Sequence, residues 1–231
     1  MAEENKPSPE PGTRQRRRER TKVLILQAAE SLLAEGGLQN MTMANIAHRA
    51  AYSKPAIYEY FTGLEEILSE LADAGFIRLG ERVQAIPTAL SPEEQIMAAC
   101  RAMLEYASEN MELYQLMFTH IIFARQERPL PADGSDTQAA YLAVSRIIQN
   151  GIAQGVFKTR PGFDGGAMLY LCWVTVHGMA SLKQKLLEEV GLVNMQQYQA
   201  EVFQILIHNL KGVAPGEKDG AVVQGLHENS R

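Results

Sequence analysis

Cysteine is scarce in this chain of 231 residues, which has only Cys100 and Cys172. Two cysteines cannot build a disulfide framework, and no basic segment followed by an apolar one opens the chain like a signal peptide. We therefore expect a cytoplasmic protein. Neither cysteine has a cationic neighbour in sequence apart from Arg101, which favours inert buried thiols over redox sensors.

Catalytic and metal-binding motifs are also missing. The five histidines are scattered, and no zinc-ligand spacing, phosphate loop or nucleophile motif occurs. We expect no metal, no cofactor and no enzymatic activity.

The longest stretch without charge, residues 165–182, has 18 residues, the lower limit for a membrane span. Its glycine, threonine and histidine residues favour a buried or interface helix, so we expect no membrane partner.

Basic residues are fewer than acidic ones in the whole chain, but they are unevenly distributed along it. The net charge of -5 argues against a nucleic-acid-binding protein. Residues 11–64 nevertheless carry a net +4, whereas residues 65–231 carry a net -7. The basic part begins with a run of cations at Arg14, Arg16, Arg17, Arg18, Arg20 and Lys22. Such a run is either a solvated tail or a contact for nucleic acid or membrane.

Helical periodicity runs through most of the chain. Apolar residues recur three and four positions apart, and no segment alternates with period two, so the sequence predicts an all-α fold. We expect a disordered tail at 1–13 and a flexible tail at 212–231. Between them we expect an N-terminal three-helix bundle with a helix-turn-helix at 14–64, and a larger helical domain at 65–211.

The helix-turn-helix prediction rests on two short helices, each of eight to nine residues, with about three residues between them. Thr42 and Ser53 are suitable N-caps, and both helix N-termini favour phosphate. In the second helix, Lys54 can donate to guanine or phosphate, and Pro55 and Ala56 suit thymine methyl groups. Tyr58 and Tyr60 can reach phosphates through their hydroxyls. An ordinary helical hairpin with surface tyrosines is the other interpretation.

Residues 42–61 (TMANIAHRAAYSKPAIYEYF) resemble the N-terminal signature of the tetracycline-repressor (TetR) family. The apolar stripe of the preceding helix, which ends at Gly36-Gly37, and the segment 64–67 also match. The resemblance implies base-facing positions for Lys54, Pro55, Ala56 and Tyr58, and phosphate-contacting positions for Thr42, Ser53 and Tyr60. It also implies that the basic residues before the first helix, including Arg17 and Arg18, follow the DNA backbone or enter the minor groove.

Four residues depart from the family pattern. Ala51 stands where the family often has glycine, Tyr52 replaces a small apolar residue, and Leu64 replaces a lysine that touches phosphate. Glu59 adds a negative charge to the recognition helix.

The resemblance implies that the region 65–211 binds a small-molecule effector and forms a homodimer. The segment from Trp173 to His177-Gly178 resembles one TetR subgroup with a Trp…His-Gly signature. Candidate pocket residues, for each of which core packing is the alternative, are Met103, Tyr106, Met117, Phe118, Ile122, Tyr141, Trp173 and His177. Candidate dimer residues are Leu182, Leu186, Tyr198, Val202, Ile205 and Leu206.

The sequence thus predicts a TetR-type regulator, a repressor that a small molecule releases from a palindromic double-stranded DNA operator. Three alternatives stay open. They are a ligand-dependent activator, an interaction protein whose helix-turn-helix no longer binds DNA, and an enzyme that uses a helical cavity.

Overall fold

The computed structural model describes residues 12–124, 139–182, 191 and 194–212. Within these ranges the chain is helical and contains no strand, so the predicted all-α fold is confirmed. The predicted tails at 1–13 and 212–231 lie outside the described residues, apart from Gly12, Thr13 and Gly212. The helices are α1 (Thr13–Gly36), α2 (Met43–Arg49), α3 (Lys54–Tyr58), α4 (Leu64–Gln84), α5 (Pro92–Glu109), α6 (Met111–Ala124), α7 (Ala139–Ala153), α8 (Gly165–Ser181) and α9 (Met195–Lys211).

Two compact units divide the chain. The first comprises Met1–Ile86 and Arg101–Ala143, and the second comprises Pro87–Cys100 and Val144–Arg231. In the first unit α6 packs against both α4 and α1, and the predicted domain boundary after residue 64 stays a prediction.

The first unit is built on the apolar stripe of α1. Ile25, Ala29 and Leu33 lie on one face of the helix, and none is more than 1% exposed. Gly37 ends the helix with a left-handed φ of 65° and donates its N–H to the Leu33 carbonyl at 2.8 Å. Helices α4 and α6 approach closely at Gly75, where a Cβ would lie 2.7 Å from Met117 Sδ. The absent side chain therefore permits this packing.

The second unit contains the packed pair α8 and α9. The Asp164 carboxylate caps α8 by accepting from the Ala167 N–H at 3.0 Å. Met168, Cys172 and Val176 form the buried face of α8, and Phe203, Leu206 and Leu210 form that of α9. Among the described helices, α8 included, none has the length and apolarity to cross a membrane.

Candidate nucleic-acid interface

Local hydrogen bonds define both ends of helix α2. The Thr42 hydroxyl oxygen accepts from the Asn45 N–H at 3.1 Å, so Thr42 is the N-cap. At the other end, the Tyr52 N–H donates to the Ala47 carbonyl at 2.9 Å and the Ala51 N–H donates to His48 at 3.2 Å. These two bonds form a Schellman turn, which requires a left-handed residue after the C-cap. Ala51 takes that position with a φ of 58°.

Helix α3 presents the predicted DNA-contacting residues on its outer side. The Ser53 hydroxyl oxygen accepts from the Ala56 N–H at 3.3 Å and caps the helix. Ile57 and Phe61 are buried beneath it. Lys54, Pro55 and Tyr58 are exposed, and Ala56 and Tyr60 are half-buried. The helix is therefore supported on one side and open on the other, as a recognition helix must be.

Both helices of the pair are shorter than predicted. Helix α2 has seven residues and α3 has five, against the expected eight to nine. Helix α3 ends early because the Tyr60 N–H donates to the Ile57 carbonyl, three residues back, at 3.0 Å. This tighter turn directs the chain towards α4.

The basic run lies inside α1 and not before it, and the DNA contacts of Arg17 and Arg18 stay a prediction. Helix α1 already begins at Thr13, so these side chains project from a helix and not from an extended arm. The Arg17 carbonyl accepts from the Thr21 hydroxyl at 3.1 Å. The guanidinium of Arg18 lies 5.3 Å from the centre of the Tyr60 ring, within the range of a cation–π interaction. Two predicted DNA-contacting residues thus meet.

A bidentate ion pair fixes α2 against α1. The Arg49 Nη1 and Nη2 atoms donate to the two carboxylate oxygens of Glu35 at 2.7 and 2.6 Å. Nη1 also lies 2.6 Å from Ser31 Oγ. The hydrogen bonds from Arg49 hold the pKa of the Glu35 carboxyl below its ordinary range, because they favour the charged form. Since Arg49 and Glu35 lie on different helices, the pair orients the helix-turn-helix.

Acidic and neutral groups stand where α3 leads into α4. Glu59 is exposed directly after α3, and Leu64 opens α4 in place of the lysine that the family resemblance implies. Glu65 follows in the first turn of α4. This junction therefore presents fewer cations than the N-terminal part of α1.

Two family models match the chain. Residues 25–71 match "Bacterial regulatory proteins, tetR family", and residues 96–210 match "Tetracyclin repressor-like, C-terminal domain". Together the two matches cover more than half of the chain. The chain belongs to the TetR family of bacterial transcriptional regulators. The finer assignment to a Trp…His-Gly subgroup stays a prediction.

Individual relatives of this TetR-family protein are distant. It is 23% identical over 133 residues to the uncharacterized HTH-type transcriptional regulator YobS of Bacillus subtilis, a match covering 58% of this chain. That match spans 66% of YobS, just under two thirds of its length. A protein of unknown function from Rhodococcus sp. RHA1 is 22% identical, with a TM-score of 0.62 over 83% of this chain and 95% of its own.

A further solved structure shares the fold. The fatty acid degradation regulator FadR from Bacillus halodurans is 18% identical, with a TM-score of 0.61 over 86% of this chain and 97% of its own. At these identities the likeness shows the shared TetR-family fold alone.

The candidate pocket residues divide between the two units of this TetR-family protein. In the first unit Met103, Tyr106 and Met117 are buried. Phe118 is half-buried, and its ring centre lies 4.7 Å from that of Tyr114. Tyr141 is 50% exposed, unlike the wall of an enclosed cavity. The Ile122 side chain lies outside the described residues.

Trp173 and His177 lie on α8 of the second unit, and both are half-buried. Partial burial lowers the pKa of His177, which favours the neutral imidazole. Its Nε2 lies 3.4 Å from the Ser181 hydroxyl. Within the described part of the chain, no three His, Cys, Asp or Glu side chains are placed to hold a metal ion.

The candidate dimer residues separate into an outward and an inward set. Leu182, Tyr198, Val202 and Ile205 are exposed, whereas Leu206 is 2% exposed and packs within the protomer. The Leu186 side chain lies outside the described residues. Sequence reasoning missed two exposed apolar residues of α8, Tyr170 and Val174. Their spacing of four, continued at Gly178 and Leu182, was the available signal.

Proposed function

We propose that this TetR-family protein is a homodimeric, DNA-binding repressor that a small molecule releases from a near-palindromic operator. It acts on bacterial DNA, hence in the cytoplasm, and is not an enzyme. The observation that carries the proposal is the exposed side of α3, with Lys54, Pro55 and Tyr58 set over a buried Ile57. A supported helix of this kind enters the major groove.

The proposed DNA contacts follow from this geometry. Lys54 and Tyr58 reach base edges, and Pro55 and Ala56 meet thymine methyl groups. The capped N-termini of α2 and α3, at Thr42 and Ser53, receive phosphates. Tyr60, Arg17 and Arg18 contact the backbone on one side of the groove.

Tyr58→Ala tests the recognition-helix assignment. On an operator selected from random DNA by the unchanged protein, we expect about a tenfold loss of affinity, the usual consequence of losing one base contact. Tyr141→Ala is the matched control, because Tyr141 and Tyr58 are 50% and 49% exposed and Tyr141 lies outside the helix-turn-helix. Equal operator affinities for the two variants would contradict the assignment.

The homodimer is proposed to form on an apolar face of the second unit. Tyr170 and Val174 line the exposed side of α8, and exposed Leu182 follows its last residue. Tyr198, Val202 and Ile205 line the exposed side of α9. A face of this extent on a packed helix pair is suited to a four-helix interface with a second copy. A twofold dimer presents two recognition helices, which is why the operator should be near-palindromic.

Ile205→Asp tests the dimer. Ile205 is 59% exposed, so a charge there costs little in an isolated protomer but would be buried in the dimer. We expect monomers in size-exclusion chromatography with light scattering. Gln204→Asp changes the exposed neighbouring position by the same charge. If Ile205→Asp remains as dimeric as Gln204→Asp, the proposed face is wrong.

The effector is proposed to bind among the buried residues of the first unit, with a hydrogen-bond acceptor facing Tyr106. Among the described residues, no hydrogen-bond partner is assigned to the buried hydroxyl of Tyr106 or to the buried Nη2 of Arg78, and the two side chains lie beside each other. Buried donors are rarely left unpaired. Binding must differ in affinity between the two conformations of the dimer to weaken DNA binding. Native mass spectrometry of the purified protein tests for a retained small molecule.

Glu59 and Leu64 favour a second candidate, a helical interaction protein with a degenerate helix-turn-helix. Failure to enrich any sequence from random DNA would support it. A reporter gene under the selected operator distinguishes repression from activation.

A further inference from the structure

Lys22 ends the basic run in sequence but has a different environment from the arginines before it. Its side chain is 28% exposed, whereas Arg14, Arg16, Arg17, Arg18 and Arg20 are exposed residues. The Lys22 Nζ donates to Glu70 Oε1 at 2.8 Å and lies 4.0 Å from Glu66 Oε1. It also lies 4.7 Å from the centre of the Phe61 ring. Two carboxylates and an aromatic face thus surround this ammonium.

One of these carboxylates, that of Glu66, also holds the segment that joins α3 to α4. Glu66 Oε2 accepts from the Thr62 N–H at 2.6 Å and from the Thr62 hydroxyl at 2.8 Å. Phe61, beneath Lys22, is 1% exposed and directly follows Tyr60. Lys22 therefore links α1 to the end of the recognition helix, and we call these groups (Lys22, Phe61, Thr62, Glu66 and Glu70) the α1–α4 cluster.

Arg18 lies one helical turn before Lys22, on the same side of α1. Its guanidinium lies 5.3 Å from the centre of the Tyr60 ring. Rotation of α1 at Lys22 would carry Arg18 away from Tyr60, because the two side chains project from one rigid helix. The position of Arg18 therefore depends on the α1–α4 cluster.

We infer that Lys22 is a positioning residue for DNA binding. It sets α1 against the α3–α4 junction, so that Arg18 and Tyr60 meet the same stretch of DNA backbone, and it does not itself bind phosphate. This inference rests on the proposed DNA-binding function. Side chains that are already placed lose less conformational freedom when they bind.

Direct phosphate binding by Lys22 is the competing role, and charge argues against it. If the ammonium turned towards DNA, Glu66 and Glu70 would lose a cation beside a polyanion. Lys22 would also leave Phe61, with the loss of a partly buried cation–π interaction. Arg17 and Arg18, which are exposed, can bind phosphate without these losses.

The test compares variants of the full chain on an operator selected by the unchanged protein. Lys22→Gln removes one positive charge, and Arg20→Gln removes one from an exposed position nearby. We expect Lys22→Gln to bind about tenfold more weakly than Arg20→Gln, a loss comparable to that of one backbone contact. Lys22→Arg keeps the charge and the cation–π interaction, and should stay within about threefold of the unchanged protein.

A double variant separates positioning from loss of stability. If Lys22 acts through Arg18, the loss of operator affinity caused by Arg18→Gln should be smaller in the Lys22→Gln variant than in the unchanged protein. Thermal unfolding, measured in parallel, identifies a temperature at which every variant is folded, and affinities are compared there.

Equal affinities for Lys22→Gln and Arg20→Gln, or additive effects of Lys22→Gln and Arg18→Gln, would overturn the inference. If the unchanged protein selects no DNA, the proposed function itself fails, and the inference fails with it.

Discussion

Ala51→Gly should stabilise the protein, because Ala51 has a backbone conformation that suits glycine. Its φ of 58° is left-handed, and alanine pays about 1–2 kcal/mol for that region. Glycine loses more conformational entropy than alanine on folding, and this lowers the stabilisation by about 0.4–1 kcal/mol. The hydrogen bonds from Ala51 and Tyr52 to His48 and Ala47 use backbone atoms alone and survive the change.

The expected net gain is about 0.5–1 kcal/mol, which corresponds to a rise in Tm of roughly 2 °C for a chain of this size. Circular dichroism at 222 nm during heating measures it. Operator affinity should stay within about twofold, since the turn between α2 and α3 keeps its geometry.

Ala50→Gly is the control for this prediction. Ala50 has a right-handed φ of -79°, so glycine there removes no strain and should cost about 0.5–1 kcal/mol. A lower Tm for Ala51→Gly, or equal shifts in both variants, would refute the reasoning that left-handed strain is stored at residue 51.

Three further predictions concern charge and burial. Glu59→Gln should bind the operator severalfold more tightly at low salt, because it removes an exposed carboxylate beside the DNA phosphates. This gain in affinity should shrink as the salt concentration rises. Glu201→Gln, on α9, should show no such gain. Hydrogen bonds from the Arg49 guanidinium lower the pKa of Glu35 from its ordinary 4.5. The ion pair therefore stabilises the fold at neutral pH, and this stabilisation is lost as the pH falls below 4.5 and through the lowered pKa. Thermal unfolding should therefore show a Tm deficit for Glu35→Gln at pH 7 that shrinks in acid; a deficit independent of pH would contradict this. Burial raises the pKa of the Cys172 thiol to about 12, so a maleimide should label it only on unfolding, and rapid labelling of the folded protein would show that the thiol is accessible.

Local features of the fold were predictable because neighbouring residues determine them. The caps at Thr42 and Ser53 require only a hydroxyl and an N–H three residues on. The capping box at Ser91 and Glu94 forms in the same way, with the Ser91 N–H donating to Glu94 Oε2 at 2.8 Å. The apolar stripe of α1 likewise follows from its spacing.

Contacts between helices could not be predicted from periodicity. Lys22 and Glu70 are 48 positions apart, so the crossing of α1 and α4 decides that they meet. On α9 the apolar positions form one broad stripe in sequence, yet Leu206 faces the protomer core while Ile205 faces out. Adjacent helical residues point about 100° apart, and only packing against α8 shows which of the two is covered.

Selection of DNA from a random pool by the purified protein is the decisive test of the proposed sequence-specific DNA binding. A homodimeric repressor should enrich a near-palindromic site whose half-sites lie about one helical turn apart, or a multiple of it. Its affinity for this site should fall steeply with salt. No enrichment, or an enriched site whose affinity is unaffected by both Tyr58→Ala and salt, would contradict the account.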